Sequence, residues 1–410
     1  MKSLEKQQNV IFMKMNELNY KEVLMVYNIT VLTATRAEYG LLQPIIKKLM
    51  QVEGFRVKIV VTGAHLSPEF GQTYREIEKD GLEIDKKIEI LLSSDTPAAI
   101  SKSMGLAMIS FADYFAESQP DALLVLGDRY ETLAVCCAAM NEKIPIIHLY
   151  GGETTEGAVD EAIRHAITKM SALHFTSTEA YRRRVIQLGE QPERVFCVGA
   201  MGVENACSVP LLSKEELEQE LDFSLNKPYA VVTFHPVTLE KNSARSQTEE
   251  LLKALRACKD MKFIITKANA DSDGRIINEL CEKYAEECEN VAVFDSLGMK
   301  RYLSALKYSC MVIGNSSSGL IEAPSFSVAT INIGDRQKGR LQGETIINCE
   351  PEAEAILQAI QKGKSEDFRK KISIAKNPYG DGNTSDKIVE NIVRVFREGC
   401  MQVGKKFFDL

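Results

Sequence analysis

An acidic block with two basic partners is the densest concentration of chemistry-bearing residues in the sequence. It consists of Glu153, Glu156, Asp160, Glu161, Arg164 and His165. Asp160 with Arg164, and Glu161 with His165, are spaced four residues apart, so each pair lies on one face of a helix. Carboxylates paired with Arg and His suit general acid–base work on a C–H bond or a leaving oxygen. Ion pairing at an exposed helix start explains the same spacing, so the block alone leaves both interpretations open.

A polar turn, GNSSSG (314–319), follows the apolar run Met311–Gly314. Free backbone N–H groups and the hydroxyls of Ser316 and Ser317, next to a helix N-terminus, are suited to binding a phosphate. The turn lacks the Gly-Lys-Ser/Thr of a Walker A loop and does not read GxGxxG, which weighs against ATPase and nicotinamide functions. A simple helix cap remains the alternative.

Polar residues also follow most of the other predicted strands. They are Arg36, His65, Asp128, Arg129, His235, Asn269 and Arg336. Asp128 alone could be no more than a helix N-cap. Because ligands bind at the carboxyl ends of parallel strands, the set together predicts one ligand cleft. His174 falls inside a predicted strand, and we expect it to be structural.

The elements that position these residues alternate between short β-branched runs and amphipathic segments. The predicted strands are Tyr27–Ala34, Arg56–Thr62, Asp121–Leu126, Ile144–Leu149, Ala172–Thr176, Val195–Val198, Tyr229–Phe234, Lys262–Thr266, Val291–Phe294, Met311–Gly314 and Val328–Ile333. This alternation predicts an α/β protein with parallel, doubly wound sheets. A closed (β/α)8 barrel is the competing topology, but a break at 208–227 divides the chain into two similar halves. Ser213 and Glu216 form a capping-box pattern there and predict a short helix.

We therefore expect two Rossmann-like domains. The predicted units are an N-terminal appendage (1–26), a first domain carrying the acid–base residues (27–209), a second domain that binds the nucleotide (210–385) and a C-terminal helix crossing back to the first domain (386–410).

Composition excludes several classes of function. The 410 residues carry a net charge of −7, which argues against a nucleic-acid surface. No apolar run approaches the length of a membrane span, and the first residues do not resemble a signal peptide, so we expect a cytoplasmic protein. The ten cysteines are scattered without a CxxC pair, which predicts reduced thiols and no metal centre.

Taken together, the motifs resemble those of the UDP-N-acetylglucosamine 2-epimerases, most closely the hydrolysing branch. The resemblance covers about Ile29 to Arg397 and rests on TRAEYG (35–40), GAHL (63–66), GDRYE (127–131), HLYGGETTEGAVDEAIRHAITK (148–169), FHPVT (234–238), GNSSSGLIEAP (314–324), IGDRQKGR (333–340) and NPYGDGN (377–383). It implies two domains of the glycosyltransferase-B type that close on a UDP-N-acetylamino sugar. It also implies the release of UDP and N-acetylmannosamine, as in sialic acid synthesis, through a 2-acetamidoglucal intermediate.

The resemblance assigns roles residue by residue. The implied catalytic residues are Asp128, Glu153, Asp160 and His235. The implied substrate-binding residues are Arg36, Arg129, Asn269, Ser316, Ser317, Glu322 and Arg336, with Glu322 accepting hydrogen bonds from the ribose. No metal or redox cofactor is implied, since Arg, His and backbone N–H groups can neutralise the diphosphate. A homodimer is expected from the resemblance alone.

Two positions depart from the family pattern. Tyr150 stands where non-hydrolysing relatives have Glu, so any acid role there passes to Glu153 or Asp160. Gly40 stands where some relatives have Ser, which would remove one phosphate contact.

The sequence leaves the sugar open. UDP-N-acetylglucosamine is the first expectation. UDP-2,4-diacetamido-2,4,6-trideoxyglucose, on the way to legionaminic acid, is the alternative. A glycosyltransferase of the same architecture and a non-catalytic UDP-sugar sensor are further alternatives.

Overall fold

The fold is described by a computed structural model for residues 26–410, except positions 93, 95, 157–158, 238–242 and 269–273. The appendage predicted at 1–26 lies almost wholly outside the described residues.

The first domain is built on seven parallel strands flanked by helices. The strands are β1 (Tyr27–Thr33), β2 (Phe55–Thr62), β3 (Ile84–Ile88), β4 (Ala122–Leu126), β5 (Ile146–Leu149), β6 (Leu173–Thr176) and β7 (Val195–Cys197). Their order in the sheet is β3-β2-β1-β4-β5-β6-β7, and every neighbouring pair is parallel. The strand order reverses between β1 and β4, which is where a doubly wound sheet opens its ligand crevice.

The helices of this domain pack on both faces of the sheet. They are α1 (Arg36–Leu49), α2 (Tyr74–Lys79), α3 (Pro97–Ser118), α4 (Tyr130–Asn141), α5 (Val159–Met170), α6 (Glu179–Gln187) and α7 (Met201–Ser208). Apolar clusters cover both faces of the sheet, with Val31 and Leu124 in one and Leu123 and Val125 in the other. This alternation explains why β4 is buried along its whole length.

The second domain repeats the plan with six parallel strands. They are β8 (Tyr229–Thr233), β9 (Lys262–Thr266), β10 (Val291–Phe294), β11 (Met311–Gly314), β12 (Ala329–Ile333) and β13 (Ile346–Cys349). The order is β10-β9-β8-β11-β12-β13, with its reversal between β8 and β11. Its helices are α8 (Lys214–Leu221), α9 (Ala244–Ala257), α10 (Gly274–Glu287), α11 (Gly298–Tyr308), α12 (Ser318–Ile321), α13 (Ala353–Lys364) and α14 (Glu366–Ser373).

The predicted architecture of two doubly wound, Rossmann-like domains is confirmed, and the barrel alternative is wrong. The short helix predicted at the break is also present: Ser213 and Glu216 form a complete capping box at the start of α8. Strands β3 and β13 were not predicted. Both are edge strands, and the exposed Asp85, Lys86 and Lys87 make β3 too polar to stand out as a strand.

The last helix, α15 (Thr384–Arg397), leaves the second domain and packs on α1 and α7 of the first. Ile388, Ile392 and Phe396 join the apolar cluster of the first domain. The aromatic ring of Phe396 lies 4.9 Å from that of Tyr27 at the start of β1. Within the described ranges, none of the helices combines the length and the apolar character that a membrane span requires.

Candidate functional site

A cavity of about 430 Å³ opens between the two domains, at the carboxyl ends of both sheets. The first domain contributes Arg36, Gly202 and Asn205 to its lining, and the second contributes His235, Ser318 and Glu322, among others. A cavity of this size is typical of small-molecule sites. Of the polar residues that follow predicted strands, Arg36 and His235 line this cavity, whereas His65, Asp128, Arg129 and Arg336 do not.

Backbone geometry at the end of β11 shapes the second-domain side of this cleft. Gly314 has a φ of 137°, and a Cβ there would lie 2.0 Å from the carbonyl oxygen of Thr233. Only glycine fits this close approach. Asn315 then bridges to the neighbouring strand end, accepting from His235 N–H at 2.7 Å and donating to His235 O at 2.8 Å. The same amide therefore fixes the position of His235.

Glu322 presents an unsatisfied carboxylate to the cavity. Its Oε2 is buried without a hydrogen-bond partner, and burial raises the pKa of the carboxyl. Its Oε1 lies against Gly202 of α7, where a Cβ would come within 2.2 Å. A buried acceptor without a partner is costly, so the site is suited to a ligand hydroxyl that donates to it.

His235 is held neutral. Burial, reinforced by the nearby Arg336, lowers the pKa of the imidazole to about 3, and its Nδ1 has no partner. A neutral ring can exchange hydrogen bonds with a phosphate oxygen or a water, but it brings no positive charge. The cations beside the cleft include Lys267, which is paired with Glu282 and Asp295, and two arginines. Arg36 contacts Ser296 Oγ across the cavity, and Arg336 donates to Asn315 O at 3.1 Å.

On the first-domain side, Arg164 is the centre of a polar network. Its side chain is 2% exposed and contacts Asp128 Oδ2. It also donates to Glu161 Oε2 and Glu153 O, both at 2.8 Å, and to Thr155 Oγ1 at 2.9 Å. One guanidinium therefore links the ends of β4 and β5 to helix α5.

Residues of both domains contact the carboxylate of Glu153. Its Oε1 accepts from Ser177 Oγ at 2.8 Å, and its Oε2 lies 3.7 Å from Nη2 of Arg340 in the second domain. Gly339, next to Arg340, lies so close to Glu156 that a Cβ added to Gly339 would be 2.8 Å from Glu156 Oε1. The segment 336–340 thus packs directly on the acidic block.

A family model described as "UDP-N-acetylglucosamine 2-epimerase" matches residues 47–393. The chain belongs to the UDP-N-acetylglucosamine 2-epimerase family. It is 43% identical over 383 residues to the "GDP/UDP-N,N'-diacetylbacillosamine 2-epimerase (hydrolyzing)" of Campylobacter jejuni, covering 93% of this chain and 99% of that one. It is 42% identical over 378 residues to "Polysialic acid biosynthesis protein P7" of Escherichia coli, covering 92% and 95%.

Solved structures show the same fold. The UDP-GlcNAc 2-epimerase of Neisseria meningitidis bound to UDP-GlcNAc superposes with a TM-score of 0.68 at 19% identity, covering 90% of this chain and all of that one. The two domains are therefore of the glycosyltransferase-B type seen in epimerases of this family.

Tyr150, one of the two positions expected to depart from the family pattern, makes a structural contact. Its φ is 69°, in the left-handed region, and its phenol oxygen accepts from Met201 N–H at 2.8 Å. The side chain thereby ties the end of β5 to the start of α7. Gly40, the other departure, lines the cavity, and its carbonyl accepts from Asn205 Nδ2 at 3.1 Å.

The remaining predicted residues divide into three groups. Ser316 and Ser317 follow Asn315 at the end of β11, and Arg336 is hydrogen-bonded to Asn315, but these three do not line the cavity. Asp160 is exposed in the first turn of α5. Asn269 lies outside the described residues.

Sequence reasoning placed Glu161 in the acidic block but not among the catalytic candidates. In the structure Glu161 binds Arg164, accepts from Thr155 N–H at 2.6 Å and lies 3.2 Å from His165 Nε2. Its four-residue spacing from His165 was the available signal.

Arg129 lies between two buried carboxylates. Its Nε is 2.5 Å from Glu131 Oε1 and 3.9 Å from Glu38 Oε1. Burial raises the pKa of Glu38 to about 7, in spite of the opposing charge of Arg129. Glu38 could not be singled out from the sequence, since it lies within TRAEYG and also forms the capping box of α1 with Thr35.

His148 is buried and neutral. Burial lowers the pKa of its ring to about 3, and its Nε2 lies 2.8 Å from Gly127 O, so Nε2 carries the proton. This places His148 under the Gly127-Asp128 turn as a support. Among the described residues, no group of three or more His, Cys, Asp or Glu side chains could hold a metal ion.

Proposed function

We propose that the chain is a hydrolysing 2-epimerase of a UDP-activated N-acetylamino sugar. The observation that carries the proposal is a buried carboxylate in the cleft between the domains, together with an ordered acidic network at the end of the first sheet. In the cleft, which His235 also lines, Glu322 Oε2 is buried without a hydrogen-bond partner. In the network, Arg164 contacts the Asp128 carboxylate and donates to the backbone oxygen of Glu153.

The reaction is an elimination followed by a hydration. A proton leaves C2 of the sugar as the C1–O bond to UDP breaks, which gives UDP and a 2-acetamidoglucal. Water then adds at C1, and a proton returns to C2 on the opposite face, which gives the free 2-epimerised sugar. Both steps need carboxylates that take and give protons, and we assign this work to Asp128, Glu153 and Asp160.

The departing diphosphate needs positive or hydrogen-bonding groups. Arg36 and Arg336 supply charge, while neutral His235 and the hydroxyls of Ser316 and Ser317 supply hydrogen bonds. Glu322 accepts from the ribose hydroxyls, which would satisfy its buried Oε2. Asn269 and Arg129 are proposed to complete the substrate contacts.

For the sugar, we propose UDP-2,4-diacetamido-2,4,6-trideoxyglucose ahead of UDP-N-acetylglucosamine. The support is the 43% identity, over almost the whole length of both chains, to a relative whose name specifies N,N'-diacetylbacillosamine. The name of that relative also includes GDP, so the UDP and GDP forms of the sugar have to be compared separately.

The test is to incubate purified protein with UDP-2,4-diacetamido-2,4,6-trideoxyglucose, its GDP counterpart and UDP-N-acetylglucosamine, without any acceptor. We expect the highest kcat/KM with the first. Faster turnover of UDP-N-acetylglucosamine would reverse the order of the two sugars. Transfer that requires an acceptor would indicate a glycosyltransferase.

Asp128→Asn separates an enzyme from a UDP-sugar sensor. We expect the amide to remove turnover while the fold and UDP binding survive, because Asp128 lies on the first domain and the nucleotide contacts lie mainly on the second. Asp367→Asn, an exposed carboxylate in the first turn of α14, is the matched control. Unchanged turnover in Asp128→Asn would reject the assigned acid–base role.

We also propose that the protein is a homodimer that pairs through the outer face of α3. Leu106, Met108 and Ile109 on this helix are 40%, 39% and 66% exposed. Such a run of large apolar side chains is unusual on a free surface. Light scattering after size exclusion should give twice the monomer mass, and Ile109→Asp should reduce it to the monomer mass.

A further inference from the structure

The segment 401–410 follows α15 and continues along the surface of the first domain, where it packs beside α5 and α6. Phe408 N–H donates to Gly189 O at 2.9 Å, and the Phe408 ring packs on the cluster formed by Val185, Ile186 and Val195. Gln191 Nε2 donates to Lys406 O at 3.2 Å. These contacts fix the course of the segment directly after Lys405.

Lys405 reaches the carboxyl end of α5, the helix that carries Asp160 and Arg164. Its Nζ lies 2.7 Å from Ser171 O and 3.5 Å from Thr168 O, at the end of α5. The last carbonyls of a helix lack partners within the helix and carry a partial negative charge, so a cation there stabilises the helix end.

A buried carboxylate holds Lys405 in this position. Lys405 Nζ is 2.6 Å from Oε2 of Glu190, whose side chain is only 1% exposed. Glu190 also binds Lys169 at 2.6 Å and lies 3.1 Å from His174 Nε2. Burial alone would raise the pKa of Glu190, but these three partners outweigh it and lower the pKa to about 2.

The end of α5 is connected to Arg164 by one turn of helix. Thr168 Oγ1 donates to Arg164 O at 2.9 Å and lies 3.3 Å from Nδ1 of His148. Arg164 in turn holds Asp128, and His148 supports the Gly127-Asp128 turn. A shift at the end of α5 would therefore reach the group proposed to move the proton.

We propose that the segment 401–410 is a brace for α5 and that Lys405 is a positioning residue for the Arg164–Asp128 pair. Lys405 contacts neither cleft wall, so it acts through the helix. This inference rests on the proposed function for its effect on turnover, but its effect on α5 is independent of any substrate.

The variant Lys405→Met tests the brace, because Met keeps an unbranched apolar stem and removes the cation. Glu190 keeps Lys169 and His174, so the fold should survive. We expect kcat per folded enzyme to fall about tenfold, as for a misplaced catalytic group. UDP affinity should stay within about twofold, because the nucleotide contacts lie mainly on the other domain. Amide hydrogen exchange in residues 159–170 should become faster.

Lys406→Met is the matched control, since Lys406 accepts from Gln191 through its backbone oxygen, which the substitution leaves in place. It should behave as wild type in all three measurements. If Lys405→Met does not fold, Phe408→Ala loosens the segment from outside and should likewise accelerate exchange in 159–170.

Unchanged exchange in 159–170, with unchanged kcat in a folded Lys405→Met, would overturn the brace. Wild-type protein that turns over no nucleotide sugar would instead refute the proposed function, and the exchange measurement would still decide on the brace.

Discussion

Replacing Arg164 by Met removes the cation that links Asp128 to α5 and to the end of β5. Asp128 and Glu161 then lose a charged donor, and Glu153 O and Thr155 Oγ1 each lose a hydrogen bond. Removing one partner from a buried charge pair costs about 3–5 kcal/mol. Asp128 and Glu161 are 27% and 29% exposed, so water compensates in part, and we expect a destabilisation of about 2–4 kcal/mol.

The effect on catalysis should exceed the effect on the fold. Without Arg164 the Asp128 carboxylate has no fixed direction, and a displacement of about 1 Å at a catalytic group can cost about 100-fold in rate. We therefore expect kcat for UDP release to fall about 100-fold, equivalent to about 2.7 kcal/mol of barrier. UDP affinity, measured by calorimetry, should change less than about twofold.

Two further variants sharpen this test. Arg164→Lys keeps the charge but has one ammonium for four acceptors, so its kcat should lie between those of Met and wild type. Arg183→Met removes an arginine from α6 whose side chain is 78% exposed and should change nothing. A folded Arg164→Met protein with kcat within threefold of wild type would refute the organising role of Arg164.

Two other predictions concern the nucleotide site and the buried histidines. Gly202→Ala places a Cβ 2.2 Å from Glu322 Oε1, so we expect UDP affinity, measured by calorimetry, to fall about tenfold, equivalent to about 1.4 kcal/mol. Gly105→Ala is the control, because its Cβ meets no atom within 4 Å and should leave UDP affinity unchanged. Acidification from pH 7 to pH 5 should lower the free energy of unfolding. Burial lowers the pKa of His65 to about 4 and those of His148 and His235 to about 3, whereas the unfolded chain protonates histidine below about 6.5, so each of the three contributes about 2 kcal/mol. Burial also lowers the pKa of His174, which acts in the same direction. Glu38 acts in the opposite direction, since its raised pKa favours the protonated form, and it offsets about one histidine. Denaturant titrations at the two pH values measure the difference, and equal stability would contradict the assignment of neutral histidines.

The fold was largely predictable because most strands of parallel sheets are buried on both faces and stand out as apolar runs. Strand β4 is buried along its length and was predicted almost to the residue. The edge strand β3 was not, because the exposed Asp85, Lys86 and Lys87 interrupt its apolar pattern. An edge strand is defined by its one neighbour in space, which the local sequence does not encode.

Residues of the candidate site could be predicted from the sequence where a polar side chain directly follows a strand. They could not be predicted where their contacts depend on packing between distant elements. Asp128, Glu153 and His235 could be chosen as candidates because they follow strands, and their catalytic roles stay predictions from the family resemblance. Arg164 reaches Asp128 because α5 packs on β5 and α4, which a four-residue spacing alone does not reveal. The Glu38 carboxyl and the brace through Lys405 depend on contacts between distant parts of the chain, with Lys405 lying 215 positions from Glu190.

The most direct test of the proposed hydrolytic 2-epimerisation is turnover in D₂O, analysed by mass spectrometry and NMR of the products. The mechanism predicts equimolar UDP and free sugar, with inverted configuration and one deuteron at C2, because the proton that leaves C2 is replaced from solvent. Free sugar that retains its C2 hydrogen, or an epimerised sugar still attached to UDP, would contradict it.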